Sequence, residues 1–124
     1  MRYRNILQID DDDDDCEFFH DALLCISTAN YTSLHNPVDA LNQLTAKQIN
    51  PDIIFLDLNM PIMTGFELLS EFKKRDIIQN VPVIVFSTTE AIQDKKKAAI
   101  LGAADFFTKP TSLTDLKNLL QRVI

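Results

Sequence analysis

Apolar and polar positions follow one another along the chain with two periodicities, which predict five β-strands and five α-helices. Short apolar runs at 5–9, 52–56, 83–86 and 105–108 have the composition of strands, and a weaker run at 31–34 alternates apolar with polar residues. The runs at 52–56 and 83–86 are almost continuously apolar, which is typical of parallel strands that are buried on both faces. The half-polar run at 31–34 is typical of an edge strand.

Segments with the three- and four-residue spacing of amphipathic helices lie between these runs. Three helices have clear starts, because Asn36 with the proline that follows it, Thr64 and Ser112 are N-cap residues. A fourth helix is predicted over 90–101, and Gly102 is placed to end it in a left-handed conformation. The first helix has one apolar face, formed by Cys16, Phe19, Leu23 and Ile26. The alternation of strands and helices predicts an α/β fold, with a parallel sheet, right-handed crossovers and helices on both faces.

Length and composition fit one compact domain over residues 1–124. The chain has 124 residues, of which 46% are hydrophobic and 24% charged, so it is expected to fold rather than to remain disordered. No apolar stretch approaches the ~20 residues that cross a bilayer, and the N-terminus lacks the pattern of a signal peptide. Cys16 and Cys25 stand nine positions apart in one predicted helix, which argues against a disulfide or a zinc site. We therefore expect a cytoplasmic domain that does not contact membranes.

The charge distribution narrows the classes of partner. Twelve basic and eighteen acidic residues give a formal net charge of −6 at pH 7, whereas direct nucleic-acid binding needs a basic surface. The basic run at 95–97 is interpreted as a solvated helix face. Six of the eighteen acids stand together at 10–15, directly after the first predicted strand. This acidic cluster is the first indication of a functional site.

Polar side chains follow four of the predicted strands at their carboxyl ends. In chain order these residues are Asp10, Asp11, Asp57, Ser87 and Lys109. The carboxyl ends of parallel strands share one edge of the sheet, where open α/β folds bind their ligands.

Two carboxylates ~4 Å apart repel each other by about 4 kcal/mol at an effective dielectric constant near 20, so three together need a cation. An all-oxygen site with room for water favours Mg²⁺ or Mn²⁺. A divalent ion, an ammonium and a hydroxyl are also the groups that phosphoryl transfer to Asp57 requires.

The motifs at the strand ends resemble those of a known family. Five motifs in order carry the resemblance, from Ile6 to Val123: Ile9-Asp10-Asp11, residues 51–61 with Gly65, residues 83–88, Gly102-Ala103 and Lys109-Pro110. The chain resembles the receiver domain of two-component response regulators. The resemblance implies a flavodoxin-like (βα)5 doubly wound sandwich, in which a five-stranded parallel sheet has the strand order 2-1-3-4-5.

The resemblance implies that Asp57 accepts a phosphoryl group from a phosphohistidine of a sensor histidine kinase or of a histidine phosphotransfer protein. It also implies a signalling domain rather than an enzyme, since such a domain catalyses only its own phosphorylation and dephosphorylation. The implied cofactor is Mg²⁺, with Mn²⁺ as an alternative. Asp11 is expected to bind the ion directly and Asp10 largely through water, together with Asp57 and the backbone carbonyl of Asn59.

Two further residues have roles at the phosphate that the resemblance implies. Ser87 would donate a hydrogen bond to a phosphoryl oxygen. Lys109 would pair first with Asp57 and then with the phosphate. The peptide bond between Lys109 and Pro110 is usually cis in this family, and a cis bond would hold the lysine over the site.

Ser87 and Phe106 form the expected switch. Phe106 stands at the family's aromatic switch position, often a tyrosine, so its ring has no hydroxyl that could hold it in an outward orientation. When Ser87 turns toward the phosphate, Phe106 is expected to fill the vacated space. The helix at 90–101 is expected to move, because it has few large apolar anchors (Ile92, Ile100 and Leu101). The surface of helix 4, strand 5 and helix 5 would then signal to a downstream protein or to a detached output domain.

The rest of the acidic cluster has two interpretations. Residues 12–15 fit the N-cap and first turn of the following helix, where negative charge interacts favourably with the helix dipole, and they are expected to turn away from the site. A second metal site is the alternative, although an EF-hand is excluded because Asp15 and Asp21 stand where Gly and Glu are required. His20 and His35 have no carboxylate at matched spacing and are expected to be surface residues.

Three rival functions differ in what they require of the sequence. A phosphatase with an aspartate nucleophile needs a second aspartate two residues later, where this chain has Asn59. A flavin protein of the flavodoxin type would have a Ser-, Thr- and Gly-rich first loop instead of six aspartates. A receiver-like domain that signals without phosphate is opposed by the intact set of chemical residues. The chain could be a stand-alone regulator or a part of a longer one.

Overall fold

The computed structural model describes residues 2–124, in which strands and helices alternate from end to end. The five strands are β1 (Asn5–Ile9), β2 (Asn30–Leu34), β3 (Ile53–Leu56), β4 (Val83–Ser87) and β5 (Asp105–Thr108). The five helices are α1 (Asp13–Ile26), α2 (Pro37–Thr45), α3 (Gly65–Arg75), α4 (Ile92–Ile100) and α5 (Leu113–Val123). All ten elements that the sequence predicts are therefore present, and the strands differ from the predicted ranges by at most one residue at each end.

The five strands form one parallel sheet in the order β2-β1-β3-β4-β5, which confirms the predicted fold class. β2 lies on one side of β1 and β3 on the other, so a crevice opens between the carboxyl ends of β1 and β3. Ile9 pairs with Leu56 in the register of these two strands. The residues that follow them, Asp10 and Asp57, therefore lie side by side at the edge of the sheet.

The central strands are buried on both faces, and each face of the sheet has its own core. Ile54 of β3 belongs to the core under α2, α3 and α4, whereas Ile53 and Phe55 belong to the core under α1 and α5. Phe19 of α1 fixes the second core, because its ring packs against Phe55 and Phe86 at centroid distances of 4.9 and 5.6 Å. Packing from both sides holds the strands whose ends carry the site.

The helix starts follow the predicted N-caps. The side chains of Asn36 and Ser112 accept hydrogen bonds from backbone N–H groups of α2 and α5, and Thr64 forms a capping box with Glu67 at the start of α3. Asp12 caps α1 in the same way. α4 has no side-chain cap hydrogen bond, although the Thr89 hydroxyl just before it accepts from the N–H of Ala91 and donates to Asp94.

α4 is shorter and more weakly packed than the sequence predicts. It spans Ile92–Ile100 instead of 90–101, and its buried residue is Ala98. The prediction that Ile92 and Ile100 anchor this helix is wrong, since 68% and 73% of their surfaces are exposed. Both isoleucines lie far around the helix axis from Ala98, so they cannot face the core together with it. Leu101, just beyond the helix, does pack against the first core.

The structure bears on two chain-wide features in residues 2–124. Within this range no helix is long and apolar enough to cross a membrane. Cys16 is buried, Cys25 is exposed, and neither forms a disulfide.

Gly65 and Gly102 give a matched pair of stability predictions. A Cβ atom on Gly65 would stand 2.8 Å from Cα of Leu58 and closer still to the carbonyl oxygen of Asp57, whereas a Cβ atom on Gly102 meets nothing within 4 Å. Gly102 instead has a φ of +104° and ends α4, as predicted. We expect Gly65→Ala to lower the free energy of unfolding by roughly 3 kcal/mol, because backbone cannot move aside. Gly102→Ala should lower it by about 1 kcal/mol through backbone strain.

Urea unfolding followed by circular dichroism measures both free energies. Equal losses in the two variants would contradict the close approach of α3 to the backbone that carries Asp57.

Candidate functional site

Backbone hydrogen bonds bring the strand ends together. The N–H of Asp57 donates to the carbonyl of Ile9 at 3.0 Å, and the N–H of Lys109 donates to the carbonyl of Ser87 at 2.8 Å. The parallel ladder therefore continues through the residues that the sequence assigns to the site, and it fixes their backbone positions.

Three carboxylates form an acidic trio at this edge of the sheet. Asp10, Asp11 and Asp57 each offer an oxygen atom, and these atoms all lie within 4.8 Å of one another. Asp10 and Asp57 are buried, with 1% and 7% of their surfaces exposed, whereas Asp11 is exposed. Oxygen donors that leave one side open to water are what Mg²⁺ requires. The structure thus brings together the three predicted side-chain ligands, and they fit a divalent ion.

The acids that follow the trio have a structural role at the start of α1. Asp12 accepts hydrogen bonds from two backbone N–H groups of the first turn, at 2.9 and 3.1 Å. Residues 2–124 contain one group of three or more potential metal-ligating side chains that lie close together, and this group is the acidic trio. Residues 12–15 therefore act as cap and first-turn residues, and the alternative of a second metal site gains no support.

The cleft above the acidic trio is polar and open. It has a volume of about 520 Å³ and is lined by Asp11, Asp12, Asp15, Asp57, Asn59, Thr88 and Lys109. The sequence identified four of these as site residues and missed Asp12, Asp15 and Thr88. A cleft lined by carboxylates repels the phosphate of a flavin and offers no apolar wall to its ring, so it argues against the flavin-binding alternative.

Lys109 is the cation of the site. Its side chain is 9% exposed, and Nζ lies 2.7 Å from Asp10 Oδ2, 2.8 Å from Asp15 Oδ2 and 3.6 Å from Asp57 Oδ1. The predicted pairing with Asp57 is present, but it is the longest of the three contacts. The peptide bonds of residues 2–124 are all trans, so the family's usual cis bond before Pro110 is not found in this chain.

Asp15 is the residue of this site that the sequence reasoning placed wrongly. The sequence predicts that it turns away from the site with the helix, yet its carboxylate accepts a hydrogen bond from Lys109. Asp15 is the third residue of α1 and therefore lies on the same side of the helix as the N-cap, Asp12. That spacing of three from a capping aspartate is the signal that could have identified it.

Burial and mutual repulsion shift the proton affinities of these groups. Burial, with the nearby charge of Asp10, raises the pKa of Asp57 from 3.8 to about 6, although Lys109 opposes the shift. Burial also raises the pKa of Asp10, against the hydrogen bond from Lys109. Burial alone would lower the pKa of Lys109, but its bonds to Asp10 and Asp15 outweigh this effect and raise it. The lysine stays charged, and the carboxylates hold excess negative charge that a cation would relieve.

Ser87 is completely buried at the end of β4. Its hydroxyl makes no hydrogen bond to any residue between 2 and 124, and unpaired buried hydroxyls are uncommon in folded proteins. Ser87 is not among the residues that line the cleft, although the next residue, Thr88, is.

Phe106 is half-buried on β5 and packs against the first core. Nζ of Lys95 on α4 lies 5.8 Å from the centroid of its ring, a distance at which an ammonium and an aromatic ring attract each other weakly. The missing hydroxyl is evident from the sequence, whereas the contact between Lys95 and the ring is not.

His35 is exposed as predicted, but it does have a carboxylate partner. Its Nδ1 lies 3.2 Å from Asp13 Oδ1 and 3.1 Å from the carbonyl oxygen of Asp10. β2 ends beside β1, and this long-range pairing brings the histidine to the first turn of α1. His20 stacks on Tyr31 with ring centroids 4.3 Å apart. Neither contact could be read from local sequence spacing.

Comparisons with known proteins identify relatives of this chain. The family model of the response regulator receiver domain matches residues 6–121. The two-component response regulator ARR6 of Arabidopsis thaliana is 30% identical over 124 aligned positions, and the alignment covers 93% of this chain and 66% of that protein. The two-component response regulator-like protein APRR5 of the same plant is 31% identical over 102 residues, which cover 82% of this chain and 18% of that protein. The chain thus spans less than two thirds of the length of these curated relatives.

A solved structure shows the same fold. The chemotaxis response regulator CheY4 of Vibrio cholerae matches with a TM-score of 0.82 at 25% identity, over 98% of this chain and 98% of that one. Together with the strand order and the acidic trio, these matches show that the chain belongs to the response regulator receiver domain family. Receiver domains are signalling domains of two-component systems, so the class of protein predicted from the sequence is confirmed.

The raised pKa of Asp57 gives a pH-dependent prediction for the metal-free protein. A carboxyl group whose pKa is higher in the folded than in the unfolded chain destabilises the fold when ionised. This unfavourable contribution is present above about pH 6 and is relieved as the pH falls toward about 4. We expect Asp57→Asn to raise the free energy of unfolding by about 2 kcal/mol near pH 8 and by much less near pH 4.

Urea unfolding in the presence of a chelator measures this difference at both pH values. Asp21→Asn removes an exposed carboxylate of α1 and is the control, which should change the stability far less near pH 8. If the gain for Asp57→Asn is the same at both pH values, the ionisation of Asp57 is not its cause.

Proposed function

We propose that this receiver domain accepts a phosphoryl group on Asp57 in a reaction that depends on a divalent cation. One observation supports this most directly: Asp57 is a buried carboxylate that belongs to the acidic trio and lies 3.6 Å from a lysine ammonium. The trio suits a metal ion, and the ammonium suits the negative charge of a phosphoryl group. A purely structural ion pair would match one acid to one base, whereas this site has an excess of acids.

Mg²⁺ is the proposed cofactor, with Mn²⁺ as an alternative. Asp11 and Asp57 would bind the ion directly, Asp10 largely through water, and Asn59 through its backbone carbonyl. When bound, the ion offsets the charge of the carboxylates and of the phosphoryl oxygens. The buried state of Asp10 and Asp57 beside the exposed Asp11 supports this choice, because it leaves room for the waters that Mg²⁺ retains.

Asp57 is the proposed nucleophile. One of its carboxylate oxygens attacks the phosphorus of a phosphohistidine on a sensor histidine kinase or a histidine phosphotransfer protein. A P–O bond forms while the P–N bond breaks, and the imidazole leaves with the electron pair of the broken bond. Lys109 then pairs with the new phosphoryl oxygens, and Ser87 donates a hydrogen bond to one of them. The domain would catalyse this transfer and the later hydrolysis, but no turnover of an external substrate.

Ser87 and Phe106 are the proposed link from the phosphate to the protein surface. The Ser87 hydroxyl has no partner in the described chain, and a phosphoryl oxygen would supply the acceptor that it lacks. Its movement would vacate space next to β5, and Phe106, which pairs with Val85 of β4, would fill that space. Burial of a phenyl ring contributes roughly 1.5–3 kcal/mol, which is enough to shift two states that differ by a few kcal/mol.

α4 is the proposed moving element. It places Ala98 in the core and exposes Ile92 and Ile100, so a shift of this helix disturbs few contacts. The surface of α4, β5 and α5 would then signal to a downstream protein or a detached output domain.

Three further expectations stay predictions from the sequence. They are a cytoplasmic location, a single domain over residues 1–124, and the lack of direct nucleic-acid or membrane binding.

The assignment of the acceptor is tested by phosphorylation with a small acyl phosphate and Mg²⁺. We expect intact-mass spectrometry to show one added phosphoryl group, which is labile to base and hydroxylamine because it is an acyl phosphate. Asp57→Asn should abolish the adduct, and Lys109→Ala should reduce it strongly. Asp21→Asn is the matched control and should be labelled like the wild type.

Full labelling of Asp57→Asn would place the acceptor elsewhere. Steady turnover of an external phosphomonoester by the wild type would instead favour the phosphatase alternative.

Ser87→Ala separates the resting state from the phosphorylated state. Without phosphate, loss of an unpaired buried hydroxyl should leave the free energy of unfolding unchanged or raise it by about 1 kcal/mol. With beryllofluoride as a phosphoryl mimic, the amide-shift changes at residues 90–108 should be smaller than in the wild type. Phe106→Ala should be phosphorylated normally but lose these distant changes. A wild-type response that is confined to the strand ends and absent from 90–108 would contradict the switch.

A further inference from the structure

Lys109 is held by a carboxylate that lies outside the acidic trio. Its Nζ donates hydrogen bonds to Asp10 Oδ2 at 2.7 Å and to Asp15 Oδ2 at 2.8 Å, whereas Asp57 Oδ1 is 3.6 Å away. Asp15 belongs to α1 and is not one of the acids that converge on the metal position. The ammonium therefore has two hydrogen-bonded carboxylate partners of different kinds. Asp10 is a proposed ligand of the cation, whereas Asp15 lies outside the acidic trio.

A divalent cation and the Lys109 ammonium compete for the same carboxylates. Asp10 and Asp57 are partners of the lysine and also members of the acidic trio. A cation bound to the trio weakens the electrostatic attraction between these carboxylates and the lysine ammonium. The cation and the ammonium also repel each other at short range. Because the lysine side chain is only 9% exposed, loss of both partners without a substitute would leave a buried unpaired charge.

We propose that Asp15 is that substitute, a positioning residue that holds the Lys109 ammonium when a divalent cation occupies the acidic trio. This role rests on the function proposed above and deepens it. The Asp15 carboxylate is already within hydrogen-bond distance of Nζ. Its side chain is 40% exposed, so it needs little additional desolvation to remain charged beside the lysine. The lysine would thus stay at the cleft, ready for an incoming phosphoryl group.

The neighbouring acids are engaged elsewhere. Asp12 accepts hydrogen bonds from the backbone N–H groups of Asp14 and Asp15. Asp13 lies 3.2 Å from a ring nitrogen of the histidine that follows β2. Asp14 is exposed at the helix surface. Among the first-turn acids of α1, Asp15 is the one that forms an ion pair with Lys109.

A titration of the full chain with Mg²⁺, followed by amide chemical shifts, tests this role without any phosphoryl transfer. Asp15→Asn leaves Lys109 with Asp10 and Asp57 as carboxylate partners, so the lysine should compete more strongly with the ion. Asp14→Asn is the matched control, since it removes the same charge from the adjacent exposed position. We expect Asp15→Asn to weaken Mg²⁺ binding by roughly threefold to fivefold relative to Asp14→Asn. Asp15→Glu, which keeps the carboxylate, should stay close to the wild type.

A double-mutant cycle with Lys109→Met separates positioning from a general effect of charge. Without the ammonium, Asp15→Asn and Asp14→Asn should weaken Mg²⁺ binding equally. In the wild type the ¹⁵N shift of Lys109 Nζ should change little when Mg²⁺ binds, and it should change more in Asp15→Asn.

Equal affinities of the Asp15→Asn and Asp14→Asn proteins, or a difference that persists without Lys109, would overturn the role of Asp15 and leave the proposed function intact. Absence of saturable Mg²⁺ binding by the wild type would instead overturn the proposed metal site, and the role of Asp15 with it.

Discussion

The site depends on one electrostatic constraint, which is that several carboxylates share a single ammonium at the edge of the sheet. The pairing of β1 with β3 places Asp10 and Asp57 at adjacent strand ends, and neither can withdraw, because both strands are buried on their two faces. Lys109 reduces the repulsion but cannot cancel it, since its charge is divided among three acids. The negative charge that remains turns a strand end into a place where a cation is stabilised.

The fold and the centre of the site could be predicted because each follows from local rules. Apolar runs, N-cap residues and the order of the elements define a parallel sheet, and the handedness of its crossovers leaves few possible topologies. Such a sheet collects its strand ends at one edge. Asp10 and Lys109 could therefore be placed together although 99 positions separate them in the sequence, without any prediction of their side-chain conformations.

The contacts that the sequence did not predict depend on how helices and loops lie against one another. The spacing of three places Asp15 on the same side of α1 as the N-cap, but it does not show that this side faces Lys109, which lies 94 positions away in the sequence. His35 meets Asp13 only because β2 pairs beside β1. The outward position of Ile92 and Ile100 depends on the rotation of α4 about its own axis, which a helix with few apolar residues leaves undetermined in its sequence.

The helices differ strongly in how much apolar surface they bury in the core. α1 and α5 bury aromatic rings and leucines, among them Phe19, Leu116 and Leu120, whereas α4 buries an alanine. We expect a helix held by so little apolar surface to open locally at a lower free energy than global unfolding, so that its amide hydrogens exchange with solvent before those of α1 or β3. α4 is thus the compliant helix of the domain, whereas α2 and α3 on the same face of the sheet are each anchored by buried leucines, so a deformation of α4 need not propagate to the helices on the opposite face.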